Sequence, residues 1–228
     1  MSNFLAVSAF RTDDINRVMT AITEYCSEYG VVVVSVTGVE TDPARDAQVY
    51  SAENGWICCL WPNYFNLYDF PLCTEIAKRL SIDISTVRVY EGDLWEHLFL
   101  SGDKRLHYFC SFPTYFEPEE TECFDSSVPR DPVALCSHLG VAHDQVALYL
   151  QTFPLPEENA QNSNDSSLHG LSQTNRKAYA EDSFDIDNFW VFTDFWRKLG
   201  IVYPDPIDSY VAVLRFEDSF EGKLPMNG

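Results

Sequence analysis

The sequence predicts an α+β protein, with a ferredoxin-like βαββαβ core extended by an antiparallel hairpin and followed by a helical C-terminal part. Three observations predict it. A helical apolar repeat over residues 13–29 is flanked by two strand-like runs. Hairpin signatures stand at Asn54-Gly55 and at Ser101-Gly102-Asp103-Lys104. A second helical repeat, starting at Pro71, lies between them.

Residues 4–10 are an apolar run that reads as the first strand. Thr12 is the expected helix cap, with Asp13 and Asp14 in the first turn, where the helix dipole favours negative charge. Ile15, Val18, Met19, Ile22, Cys26 and Tyr29 then recur at helical spacing, and Gly30 is the stop. Residues 31–36 (VVVVSV) are β-branched almost throughout, which predicts a buried, interior strand. Within residues 49–61, Asn54-Gly55 supplies the two positive-φ positions of a tight hairpin. Pro71 is the expected first residue of the second helix, with Leu72, Ile76 and Leu80 on one face. Residues 86–90, 94–100 and 106–112 complete the strands of a first part, residues 1–116.

The second part, residues 117–228, is expected to hold a helix pair, with a helix ended by Gly140 and another over residues 144–152. Residues 154–176 are polar, with almost no large apolar residue, and read as a flexible loop. Phe189, Trp190, Phe192, Trp196 and Leu199 form an aromatic helical stripe closed by Gly200, and residues 211–216 form a last strand packed with the first part.

The chain has 228 residues, 46% of them hydrophobic, enough for a sizeable core. Lys and Arg number 15 against 35 Asp and Glu, a net charge of -20. Such a surface repels phosphate backbones and anionic lipid, so neither nucleic acid nor membrane is an expected partner. Residues 1–10 carry no secretory pattern, no apolar stretch is long enough to span a bilayer, and the seven cysteines lie mostly in apolar segments, as reduced core thiols do. Cytoplasmic localisation is expected.

Motifs that carry chemistry are mostly absent from the sequence. Residues 75–87 (EIAKRLSIDISTV) and 135–146 (LCSHLGVAHDQV) resemble helix-turn-helix pairs. The first continues into residues 86–90, which alternate as a strand, with Glu91, Asp93 and Glu96 where phosphate contacts are needed, and the second offers Asp144, Gln145 and Tyr149 with no nearby Lys or Arg. There is no Cys-x-x-Cys, no His-Glu-x-x-His and no calcium-loop spacing; Cys136, His138 and His143 lack a fourth ligand, and Asp182, Asp185 and Asp187 read as helix caps. No metal or cofactor is expected. His107 and Cys110, three apart on a strand, point to opposite faces and cannot form a nucleophilic pair.

Four stretches together, NGWICCLWP (54–62), VYEGDLW (89–95), CSFPTYF (110–116) and WVFTDFWRKLGIVYP (190–204), resemble a family of uncharacterised stand-alone bacterial proteins of unknown function. The resemblance spans nearly the whole chain, with the polar insert at 154–176 as this chain's addition. It implies organisation and a cytosolic origin but no activity and no site.

The leading expectation is a non-enzymatic protein-interaction protein, an immunity- or antitoxin-like inhibitor of a basic partner. The candidate contact residues are Glu117, Glu119, Glu120, Glu122 and Asp125. One alternative is a small-ligand binder or enzyme with an aromatic pocket lined by Trp95, Tyr115, Phe116 and Trp196. The other is a helix-turn-helix DNA-binding regulator.

Overall fold

The computed structural model describes residues 4–37, 40–113, 115, 130, 132–152, 176–204 and 210–226. They form one α+β unit of eight strands and four helices: β1 (Leu5–Arg11), α1 (Ile15–Glu28), β2 (Val33–Val36), β3 (Asp46–Tyr50), β4 (Trp56–Leu60), α2 (Asp69–Leu80), β5 (Asp83–Tyr90), β6 (Leu94–Ser101), β7 (Lys104–Cys110), α3 (Val133–Leu139), α4 (Val191–Lys198) and β8 (Tyr210–Phe216). The strands make a single sheet in the order β2-β8-β3-β4-β1-β5-β6-β7. Every pairing in it is antiparallel.

Local chemistry accounts for most boundaries. Asp14 rather than Thr12 caps α1, its carboxylate accepting the Arg17 amide at 3.0 Å, while the Thr12 hydroxyl accepts the amide of Asp14. The β3–β4 turn is the expected one: Asn54 and Gly55 sit at φ +53° and +80°, and Glu53 and Trp56 exchange both backbone hydrogen bonds at 2.9 Å. Helix α2 starts at Asp69, two residues before Pro71, and Ser81 ends it in the left-handed region. The chain then enters β5 directly.

Alternation along the strands gives the sheet two apolar faces. Ala6, Phe10, Ile84, Leu98 and Tyr108 meet α1 and α2 on one; Val7, Val87, Trp95, Phe99 and Phe109 meet α3 and α4 on the other. From α1 alone Val18, Ala21, Ile22, Tyr25 and Cys26 are buried, and each large apolar side chain among them contributes roughly 1.5–3 kcal/mol.

Three further expectations need correction. Residues 31–36 supply β2, but among the described residues it is an edge strand, hydrogen-bonded to β8. β-Branched composition reports a pleated, half-buried setting and cannot tell edge from centre. Residues 144–152 hold no α-helix: after α3, Gly140 turns at φ +70° and a single 3-10 turn, His143–Gln145, follows. The C-terminal aromatic helix is shorter than its stripe: it begins at Val191, after a turn in which the Asn188 side chain accepts the Trp190 amide at 2.9 Å. Residues 153–175, nearly all of the expected polar loop, lie outside the described residues.

Candidate functional site

Buried polar groups gather at two places on the sheet, one per face. On the α1/α2 face, Arg88 of β5 is enclosed between Asp69 of α2 and Glu96 of β6, none of the three more than 2% exposed. The Arg88 Nε lies 3.2 Å from Asp69 Oδ1, off the hydrogen-bonding angle, and Nη1 lies 3.8 Å from Glu96 Oε2, so both contacts are ionic. The guanidinium also rests 3.3 Å from the centre of the Phe70 ring. Thr86 donates to the other Asp69 oxygen at 2.9 Å and shares a 2.8 Å bond with Ser8, which accepts the Trp61 indole N–H at 2.7 Å. The Tyr108 hydroxyl donates to Glu96.

With both carboxyls ionised this cluster carries one negative charge in excess. Burial raises the Asp69 and Glu96 carboxyls to about 6, against the pull of Arg88. Burial opposes the charge of Arg88 too, yet Asp69, Tyr90 and Glu96 hold it protonated. Neutral pH leaves the carboxylates charged; mild acid adds a proton.

On the α3/α4 face, Ser85 of β5, His97 of β6 and His107 of β7 stand side by side, all fully buried. The Ser85 hydroxyl is 2.8 Å from His97 Nε2, and His97 Nδ1 is 3.3 Å from His107 Nδ1. The Phe195 ring of α4 meets the His97 ring edge-to-face at 5.0 Å. Burial first, and His107 second, keep the His97 pKa well below its ordinary value, so His97 is neutral. A serine-histidine contact can activate a hydroxyl only where substrate reaches it; here α4 covers it.

A third place is open. A cleft of about 500 Å³ runs along the outer side of α4, walled by Phe184, Trp190 and Tyr203, with Thr193, Asp194 and Arg197 at its polar end. Its charges are already matched. Asp194 accepts the amides of Ser183 and Phe184 at 2.9 Å each, and Arg197 pairs with Asp194 at 2.9 Å and with Asp182 at 3.3 Å.

The five candidate contact residues, Glu117, Glu119, Glu120, Glu122 and Asp125, lie outside the described residues. The expected aromatic pocket does not assemble. Trp95 and Trp196 are filled into the α3/α4 core, whereas Tyr115 packs with the α1/α2 core and donates toward Glu91 at 3.1 Å; Phe116 is not described. His138 pairs with Asp83 at 2.9 Å, away from a shared centre with Cys136 and His143, and among the described residues no three His, Cys, Asp or Glu side chains are grouped to hold a metal. Asp182 caps no helix: it accepts the Tyr149 hydroxyl at 2.6 Å and the Tyr179 amide at 2.8 Å. His107 and Cys110 do point to opposite faces. The second helix-turn-helix echo has no second helix, and the first runs into β5.

Sequence reasoning missed the ionic cluster. Its signal was parity: Arg88 and Glu96 stand in phase with the inward-facing Ile84, Leu94 and Leu98. The six described cysteines are buried, with burial raising the thiols of Cys26, Cys58 and Cys110 to about 12. No described helix is long and apolar enough to cross a membrane. Compared with protein families, curated proteins and solved structures, the chain matches none.

Proposed function

We propose that the chain is a non-enzymatic, acidic protein-interaction protein whose counterpart is a basic protein surface, in the manner of an immunity or antitoxin protein. One observation carries the reading: the fold spends its cations on itself. Arg11, Arg45, Arg79, Arg88, Arg197, Lys198, Arg215 and Lys223 are ion-paired within the chain. Arg17 and Lys177 bond to the chain's own backbone carbonyls. Of the 35 acids, Asp46, Asp69, Glu96, Asp182 and Asp194 are the buried ones among the described residues. The outer surface therefore keeps an excess of carboxylate, which steers a cationic partner and repels DNA. The enclosure of Arg88, Ser85 and His97 supports structural roles for them, and the buried thiols support a reducing, cytoplasmic setting.

The order β3-β4-β1-β5, with α1 and α2 on one face, supports a ferredoxin-like reading of the core, with β6 and β7 as additions on one side and β8 and β2 on the other.

The test is a pull-down from the native host at low and physiological salt, comparing wild type with Glu117, Glu119, Glu120 and Glu122 all changed to Gln. A basic protein that is recovered by wild type, weakened by salt and lost with the variant is the expected result. Equal recovery by both dismisses the acidic segment as the contact, and DNA in place of protein overturns the reading. The α4 cleft favours the small-ligand reading as second; quenching of tryptophan fluorescence by a host metabolite extract, abolished by Trp190→Ala, is its signature.

A further inference from the structure

We propose that β2 is a dimerisation edge, at which two copies of this chain pair β2 to β2, antiparallel, about a twofold axis at Val34. Edge strands of monomeric proteins carry a guard against pairing: a charge, a proline or a bulge. The opposite edge of this sheet, β7, opens with Lys104 and Arg105. Edge β2 has no such guard. Residues 31–37 (VVVVSVT) contain no charge, proline or glycine.

Side chains around that edge are left over as well. Val33 joins the α1/α2 core, so alternation turns Val32, Val34 and Val36 to the other face, beside Val211 of β8. None of these four belongs to either core; Val32 is 52% and Val211 51% exposed. The Val32 carbonyl accepts the Glu217 amide at 2.9 Å, so even-numbered residues of the strand aim their backbone groups at β8. The backbone groups of Val33 and Ser35 therefore face outward.

These directions fix both occupant and register. In a chain of net charge -20, an uncharged run is where two identical copies meet with least carboxylate repulsion. A twofold axis perpendicular to the sheet sets Val34 opposite Val34, Val32 opposite Val36, and Val33 in a hydrogen-bonded pair with Ser35. The valine row then buries against its own copy. One unguarded edge among the described residues closes the assembly at two copies. Salt screens the repulsion and tightens this dimer, opposite to its effect on a basic partner, so the two readings fail separately.

The experiment is sedimentation of wild type across the micromolar range at low and high salt, with two variants. Ser35→Pro removes an outward amide and leaves the β8 ladder intact; circular dichroism checks its fold. Val34→Cys places thiols across a narrow antiparallel pair, where Cα atoms about 4.5 Å apart suit a disulfide. The expected results are a dimer with a several-fold lower dissociation constant at high salt, a monomeric Ser35→Pro, and an oxidised Val34→Cys dimer on a non-reducing gel that wild type does not form. Wild-type monomer at every concentration, assemblies larger than two, or Val34→Cys that oxidises no faster than wild type overturns the proposal.

Discussion

On the α1/α2 face the buried polar centre is ionic, Arg88 held between Asp69 and Glu96, whereas on the α3/α4 face Ser85 and His107 flank a neutral His97. Both are sealed to the same degree, yet they answer protons in opposite senses. The carboxyls of Asp69 and Glu96 rise to about 6 in the fold, from roughly 3.9 and 4.3 in an unfolded chain. The folded state then binds protons that the unfolded state has released, so this face contributes most in mild acid and loses stability as pH rises through about 6. His97 is depressed. Its contribution is present above its unfolded value of roughly 6.5 and is lost as pH falls. Burial penalises charge on either face; the type of group decides the sign.

The largest way to break the comparison is to remove one face. A chain ending at residue 116 loses α3, α4 and β8, which uncovers Val7, Val87, Trp95 and Phe99 and strips β2 of its pairing strand. Urea unfolding followed by circular dichroism should show no cooperative transition for it. Next is Arg88→Met, which leaves two enclosed carboxylates without their counter-charge. The expected cost at neutral pH is about 3–5 kcal/mol, shrinking below pH ~6 as the carboxyls protonate. His97→Gln is smaller: it keeps a partner within reach of Ser85, so a cost of roughly 1–2 kcal/mol is expected, together with a shallower loss of stability on the acid side.

These contrasts also show what was legible in the sequence. Asn54-Gly55, the helical repeat of α1 and the alternating strands around Ser101–Lys104 were readable because a few neighbouring residues determine them. The β2 edge was not: its partner β8 is almost 180 residues away, and no local pattern encodes which strand a valine run will meet. The helix expected over 144–152 failed because the Tyr149 hydroxyl bonds Asp182 and its ring joins the α3/α4 core, a tertiary demand that overrides propensity. The ionic cluster was half visible. Arg88 and Glu96 were in phase with the core, but that they close on Asp69 of α2 is a fact of packing, not of spacing.

The smallest perturbation is the most direct test. Glu96→Gln retains an acceptor for Tyr108 and keeps the Arg88–Asp69 ion pair, while it removes one of the two carboxylates around Arg88 without opening a cavity. The measurement is the free energy of unfolding in urea, for wild type and Glu96→Gln, from about pH 5 to about pH 8. Because the His97 limb is common to both proteins, the difference isolates the carboxyl cluster: from about pH 5 to about pH 8 wild type should lose on the order of 1–2 kcal/mol relative to Glu96→Gln. An alkaline decline of equal slope in both proteins would contradict the account.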